Sequence, residues 1–130
     1  MIAIGKWGRA LPPLLLLGMA VLAGGCSGAE EAAAQKTGGD PQRGKGTIKK
    51  YGCHACHSIP GVPGADALVG PPLDHIASRA YLAGRIENTP ENMMKWIRTP
   101  QDVQPGTAMP NMGVSEKDAR DIAAFLYTLR

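Results

Sequence analysis

Aromatic residues are scarce in this 130-residue chain: one Phe, two Trp and three Tyr. So few rings cannot fill a sizeable globule, so either the folded part is short or something other than side chains occupies its centre. Cysteine is scarce as well, and three thiols cannot build the multi-bridge framework that staples a small secreted domain. Charge of one sign is not in excess, and a net charge of +3 is too close to neutral to mark a nucleic-acid-binding protein. An alternating strand pattern and internal repeats are both missing. The length leaves room for one domain with at most a targeting segment, and excludes a two-domain enzyme.

The one long apolar run lies at the N-terminus. Lys6 and Arg9 precede the stretch from Leu11 to Ala23, which is shorter than the roughly 20 residues of a membrane-spanning helix. Residues 1–25 therefore read as an export signal. The run closes in Leu22-Ala23-Gly24-Gly25-Cys26, which resembles a bacterial lipoprotein signal in which Cys26 becomes the acylated N-terminus. Leu22 stands one position further from the cysteine than is usual, so ordinary cleavage nearby and an uncleaved anchor are the alternatives. Residues 26–39 carry small and polar side chains without periodicity and are expected to form a flexible tether. The folded domain is then 40–130, small for a self-sufficient core.

Chemistry concentrates in Cys53-His54-Ala55-Cys56-His57. C-x-x-C-H is the attachment signature of c-type haem. Residues three apart share a face of a helical turn, so Cys53 and Cys56 can reach the two vinyl groups on one porphyrin edge. His57 then lies under the iron and supplies the proximal imidazole. A zinc site would need a second pair of ligands, a thioredoxin-type pair would need a βαβ context, and a lone disulfide would leave His57 without a role. Export agrees with haem, which is attached outside the cytoplasm.

A sixth ligand is offered by Pro105-Gly106-Thr107-Ala108-Met109-Pro110, a turn-rich loop holding a thioether between rigid residues. Such a ligand raises the reduction potential and suits electron transfer. Met93 and Met94 fall in a helical pattern and read as core filler, whereas Met112 competes with Met109 on chemistry alone. His75 is a further candidate for that position, and His54 reads as a spectator.

Gly52 to His57, Val69-Gly70-Pro71-Pro72-Leu73 and the Met109 loop, in that order and spacing, resemble class I, single-haem cytochromes c. The stretch Asn88-Thr89-Pro90-Glu91-Asn92-Met93 with Trp96-Ile97-Arg98 is most similar to the haem c domains of bacterial cytochrome oxidase subunit II and their free-standing relatives. The resemblance implies an all-α, cytochrome c-like fold of three to five helices wrapped round one covalently bound haem. It also implies that Met109 is the distal ligand, that the Pro71 carbonyl accepts a hydrogen bond from His57, that Leu73 packs on the haem and that Trp96 closes the distal wall. Arg79 and Tyr81 are candidate partners of the haem propionates.

Local patterns agree. Asp40 and Pro41 are an N-cap and first helical residue, with Gly44 and Gly46 inside the helix that follows. The resemblance implies that the C-terminal helix crosses at Gly44. Thr89-Pro90 opens a second helix, and Ser115-Glu116-Lys117-Asp118 opens a last one with Ile122, Phe125, Leu126 and Leu129 along one stripe. The expected function is electron transfer in the bacterial envelope, not enzymatic catalysis. The expected location is periplasmic or on the outer face of a bacterial membrane, lipid-anchored, with a terminal oxidase, a quinol–cytochrome c reductase or a periplasmic dehydrogenase as partner and no nucleic acid. A haem subunit of a larger complex, and a haem enzyme or gas sensor with a labile sixth ligand, are the competing readings.

Overall fold

A computed structural model describes residues 27–130; the export signal and Cys26 expected from the sequence lie outside the described residues. Among the described residues there are five helices: α1 (Ser27–Thr37), α2 (Pro41–Lys50), α3 (Pro90–Arg98), α4 (Pro100–Val103) and α5 (Glu116–Leu126). A two-stranded antiparallel ribbon, β1 (Tyr81–Leu82) with β2 (Ile86–Glu87), and two 3₁₀ turns complete the elements.

Each main helix starts where a side chain can satisfy the first free amides. The Asp40 carboxylate accepts from the amide of Arg43 at 3.0 Å, Thr89 Oγ1 from Asn92 at 3.2 Å, and Ser115 Oγ from Asp118 at 3.1 Å. Pro41, Pro90 and Pro100 occupy first positions, where no amide is needed.

The centre of the fold is the crossing of α2 and α5. A Cβ on Gly44 would overlap the carbonyl oxygen of Asp121, so only glycine lets these two backbones approach so closely. Ile48, one turn on, is 1% exposed and packs beside Ile122 in the core, with Phe125 and Leu126 further along α5. Met93 and Ile97 bring the inner face of α3 onto the same core, and Trp96 packs against it half-buried.

The crossing is locked by one buried acid. The Asp121 side chain is 3% exposed and receives Arg43 Nε at 3.0 Å, Arg43 Nη2 at 3.0 Å, Lys117 Nζ at 2.9 Å and the Asp40 amide at 2.8 Å. These donors, Arg43 foremost, hold its carboxyl far below the ordinary carboxylate range.

Residues 27–37 are not the flexible tether expected from composition. They form α1, which packs on α5 and buries Ala33 and Thr37. Ala33 and Thr37 are one turn apart, so a face of only small side chains suffices for close packing where a hydrophobic stripe is lacking. Gly38, at φ +70°, ends the helix in the left-handed region.

Candidate haem site

The haem motif opens on Gly52, whose φ of +73° turns the chain out of α2 and into the 3₁₀ turn Cys53–Ala55. The amides of Cys56 and His57 both bond back to the Cys53 carbonyl, at 3.2 and 3.0 Å, which winds the two cysteines and the histidine into one compact turn. Cys53 and Cys56 are free thiols, each half-buried. Burial raises the pKa of the Cys53 thiol.

The following loop is laid against this turn by backbone bonds. Gly70 N–H donates to the Cys56 carbonyl at 2.7 Å, and Leu73 N–H donates to the Ser58 carbonyl at 2.8 Å. The chain between them carries the Pro71 carbonyl to within 2.7 Å of His57 Nδ1. A carbonyl can only accept, so Nδ1 carries the ring proton and Nε2 presents a lone pair, the tautomer a metal ligand requires. Gly70 lies on the face of the same ring, where a Cβ would come within 2.8 Å of Nδ1.

Arg79 turns its guanidinium onto this loop. It donates to the carbonyls of Pro72 and Asp74 at 2.6 and 3.0 Å, so at least part of its donor capacity serves the backbone. Tyr81, in β1, is 58% exposed, and Leu73 is half-buried against the core.

Met109 is half-buried in a C-terminal loop gripped by Gln101 of α4. The Gln101 amide donates to the carbonyls of Thr107 and Met109 at 2.8 and 2.9 Å and accepts from the Gly106 amide at 3.2 Å. Met112 is 41% exposed, and its methyl lies beside Gly52. Met93 is 1% exposed within the core, and Met94 packs against that core half-buried. His75 projects from a backbone at φ +53° with its side chain 70% exposed. His54 Nδ1 is buried without a hydrogen-bond partner.

Three further residues matter here. Gln101 follows Thr99-Pro100 and has no sequence signature beyond its polarity. Asn88 donates to the carbonyls of Ile76 and Arg79, both at 2.8 Å, and accepts from Tyr127 Oη at 2.8 Å, tying the loop after the haem motif to the end of α5. Asp121 could have been found as a charge on the apolar stripe of α5, one residue before Ile122 and four before Phe125.

The donor set fits a covalently attached porphyrin: free thiols one turn apart, an imidazole whose outer nitrogen is already committed, and a glycine leaving the ring face clear. Among the described residues no group of three or more His, Cys, Asp and Glu side chains is placed to hold a metal ion by itself. Fold and site together define a small helical haem protein of the c type. The cytochrome c family model matches residues 41–130, and the chain belongs to that family, whose cofactor is covalently bound haem c.

Among curated proteins the chain is 33% identical over 89 residues to cytochrome c oxidase subunit 2 of Alkalihalophilus pseudofirmus, 68% of this chain and 25% of that one. It is 30% identical over 107 residues to cytochrome c-552 of Nitrosomonas europaea, covering 76% of this chain and 90% of the relative. Cytochrome c2 of Rhodopila globiformis is 33% identical over 104 residues, 71% of this chain and 95% of its own length. The chain thus spans about a quarter of the oxidase subunit and most of each small cytochrome.

Proposed function

We propose that the protein is a single-haem electron carrier of the bacterial envelope, delivering electrons within a respiratory chain. Cys53 and Cys56 supply the thioether bonds, His57 the proximal nitrogen and Met109 the distal sulfur. The observation that carries this reading is the hydrogen bond from His57 Nδ1 to the Pro71 carbonyl, which fixes the ring and frees Nε2 for iron. When bound, the haem supplies one-electron chemistry between Fe(III) and Fe(II). The chain's part is to keep both ligands still, so that little rearranges at each transfer. The Cys53–Cys56 turn, the Gly70–Leu73 loop and the Gln101 clamp each hold one piece of that cage.

Trp96 and Leu73 supply apolar wall, and Arg79 with Tyr81 stands on the propionate side of the reading. Residues 1–25 direct export, and acylation of Cys26 holds the domain at the membrane. A terminal oxidase, a quinol–cytochrome c reductase or a periplasmic dehydrogenase is the redox partner. Likeness to two small cytochromes along nearly their whole length supports reading the domain as an electron carrier; a haem subunit of a larger dehydrogenase or oxidase complex is the competing reading.

Absorption of the oxidised protein tests the ligand set. A sulfur-to-iron charge-transfer band that vanishes in Met109→Leu and persists in Met112→Leu is expected. Its loss only in Met112→Leu would transfer the distal role to Met112. Rapid carbon monoxide binding by the reduced wild type would favour a haem enzyme or sensor instead.

A further inference from the structure

α1 begins at Ser27, the residue next to the cysteine proposed to carry the lipid, and it is fastened to the haem domain at both ends. In its first turn Glu30 accepts from Gln42 Nε2 of α2 at 2.6 Å. In its last turn the Lys36 ammonium stands 4.1 Å from the centroid of the Tyr127 ring, and Ala33 and Thr37 are buried against the domain. The exit is fixed too. A Cβ on Gly39 would overlap the Arg120 carbonyl oxygen, and the Asp40 amide donates to Asp121 at 2.8 Å.

We propose that α1 is a rigid strut which sets the height and tilt of the haem domain at a lipid bilayer surface, an inference that rests on acylation of Cys26. A free coil of the 11 residues of α1 would wander over about 18 Å and reach about 38 Å at full stretch. The helix instead spans about 15 Å with its direction set by α5 and α2. Partners must therefore approach a domain held in one pose against the headgroups, and reach is traded for orientation.

The test uses the full-length, haem-loaded protein purified from bacterial membranes and reconstituted into oriented phosphatidylethanolamine–phosphatidylglycerol bilayers. Polarised Soret absorption is expected to show one preferred haem tilt. Ala33→Asp, which places a charge in the packed face of α1, is expected to make the signal isotropic, with acyl mass and solution Soret spectrum unchanged. An isotropic wild type that carries its acyl chains overturns the strut, as does an Ala33→Asp variant that keeps the wild-type tilt. A mass spectrum without acyl chains overturns the lipid reading and the bilayer pose with it. Docking of α1 is then read from amide exchange in the same holoprotein. Residues 33–37 exchanging at least about tenfold slower than a free peptide uphold a rigid α1, and exchange at the free rate rejects it.

Discussion

The backbone of Gly70 lies against the imidazole of His57 so closely that a methyl group there would stand 2.5 Å from Cε1 and 3.0 Å from Nε2. The ring is thus held edge-on by the Pro71 carbonyl and face-on by a residue without a side chain. Gly70→Ala is expected to tilt the imidazole, break its bond to Pro71 and cost about 1–3 kcal/mol of holoprotein stability. Visible spectra would report it as a loss of the six-coordinate, low-spin form. An unchanged spectrum and melting curve would show that the ring has slack.

With so few aromatics, the fold is expected to depend on haem for part of its core. Joint replacement Cys53→Ser and Cys56→Ser is expected to leave a haem-free chain with weak helical circular dichroism and no cooperative thermal transition. A sharply melting, colourless double mutant would contradict this.

Gly44 and Gly46 sit in the same helix, and their substitution by alanine is expected to have opposite signs. Nothing lies within 4 Å of a Cβ on Gly46, so Gly46→Ala gains about 0.5–1 kcal/mol of stability from helix propensity. Gly44→Ala drives a methyl into the Asp121 carbonyl and is expected to lose about 3 kcal/mol or fail to fold. Denaturant titration of the two variants separates these outcomes.

Asp121 and Tyr127 set opposite ends of the pH profile. Asp121 titrates lower in the fold than in the unfolded chain, so its contribution is full above about pH 4 and is lost as pH falls toward its native value. Asp121→Asn is expected to cost about 2–3 kcal/mol at neutral pH and to flatten this acid limb. Burial pushes Tyr127 up to about 12, so its share is present below about pH 10 and lost as pH rises from there toward 12. Tyr127→Phe removes the bond to Asn88 and is expected to cost about 1 kcal/mol while abolishing the alkaline limb. Stability measured from pH 2 to 12 checks both.

The helices of the haem domain were legible because their caps are local: Asp40, Thr89 and Ser115 announce their helices within a few residues. The haem motif was legible for the same reason, as its residues lie in one turn. What escaped depends on chain brought from afar. The packing of α1 needs α5, some eighty residues on, and a helix that buries only Ala33 and Thr37 leaves no periodic apolar trace. Gln101 bonds to groups that sequence spacing does not connect to it. Gly70 and Asn88 stand in stretches legible as motifs, yet the groups they leave room for or bond to are not readable from spacing. Arg79 was read only as a propionate partner, because its alternative acceptors are backbone carbonyls that every residue possesses.

Among the described residues the side-chain bonds that secure the loop carrying Met109 come from the Gln101 carboxamide and the Thr107 hydroxyl, neither of them ionisable. Gln101 gives two protons and takes one, a division of roles that neither a carboxylate nor an ammonium group can reproduce. Such a fastening keeps its strength whether the surroundings are acidic or alkaline. The position of the Met109 sulfur is therefore insulated from changes of acidity that recharge the ionisable side chains elsewhere on the surface.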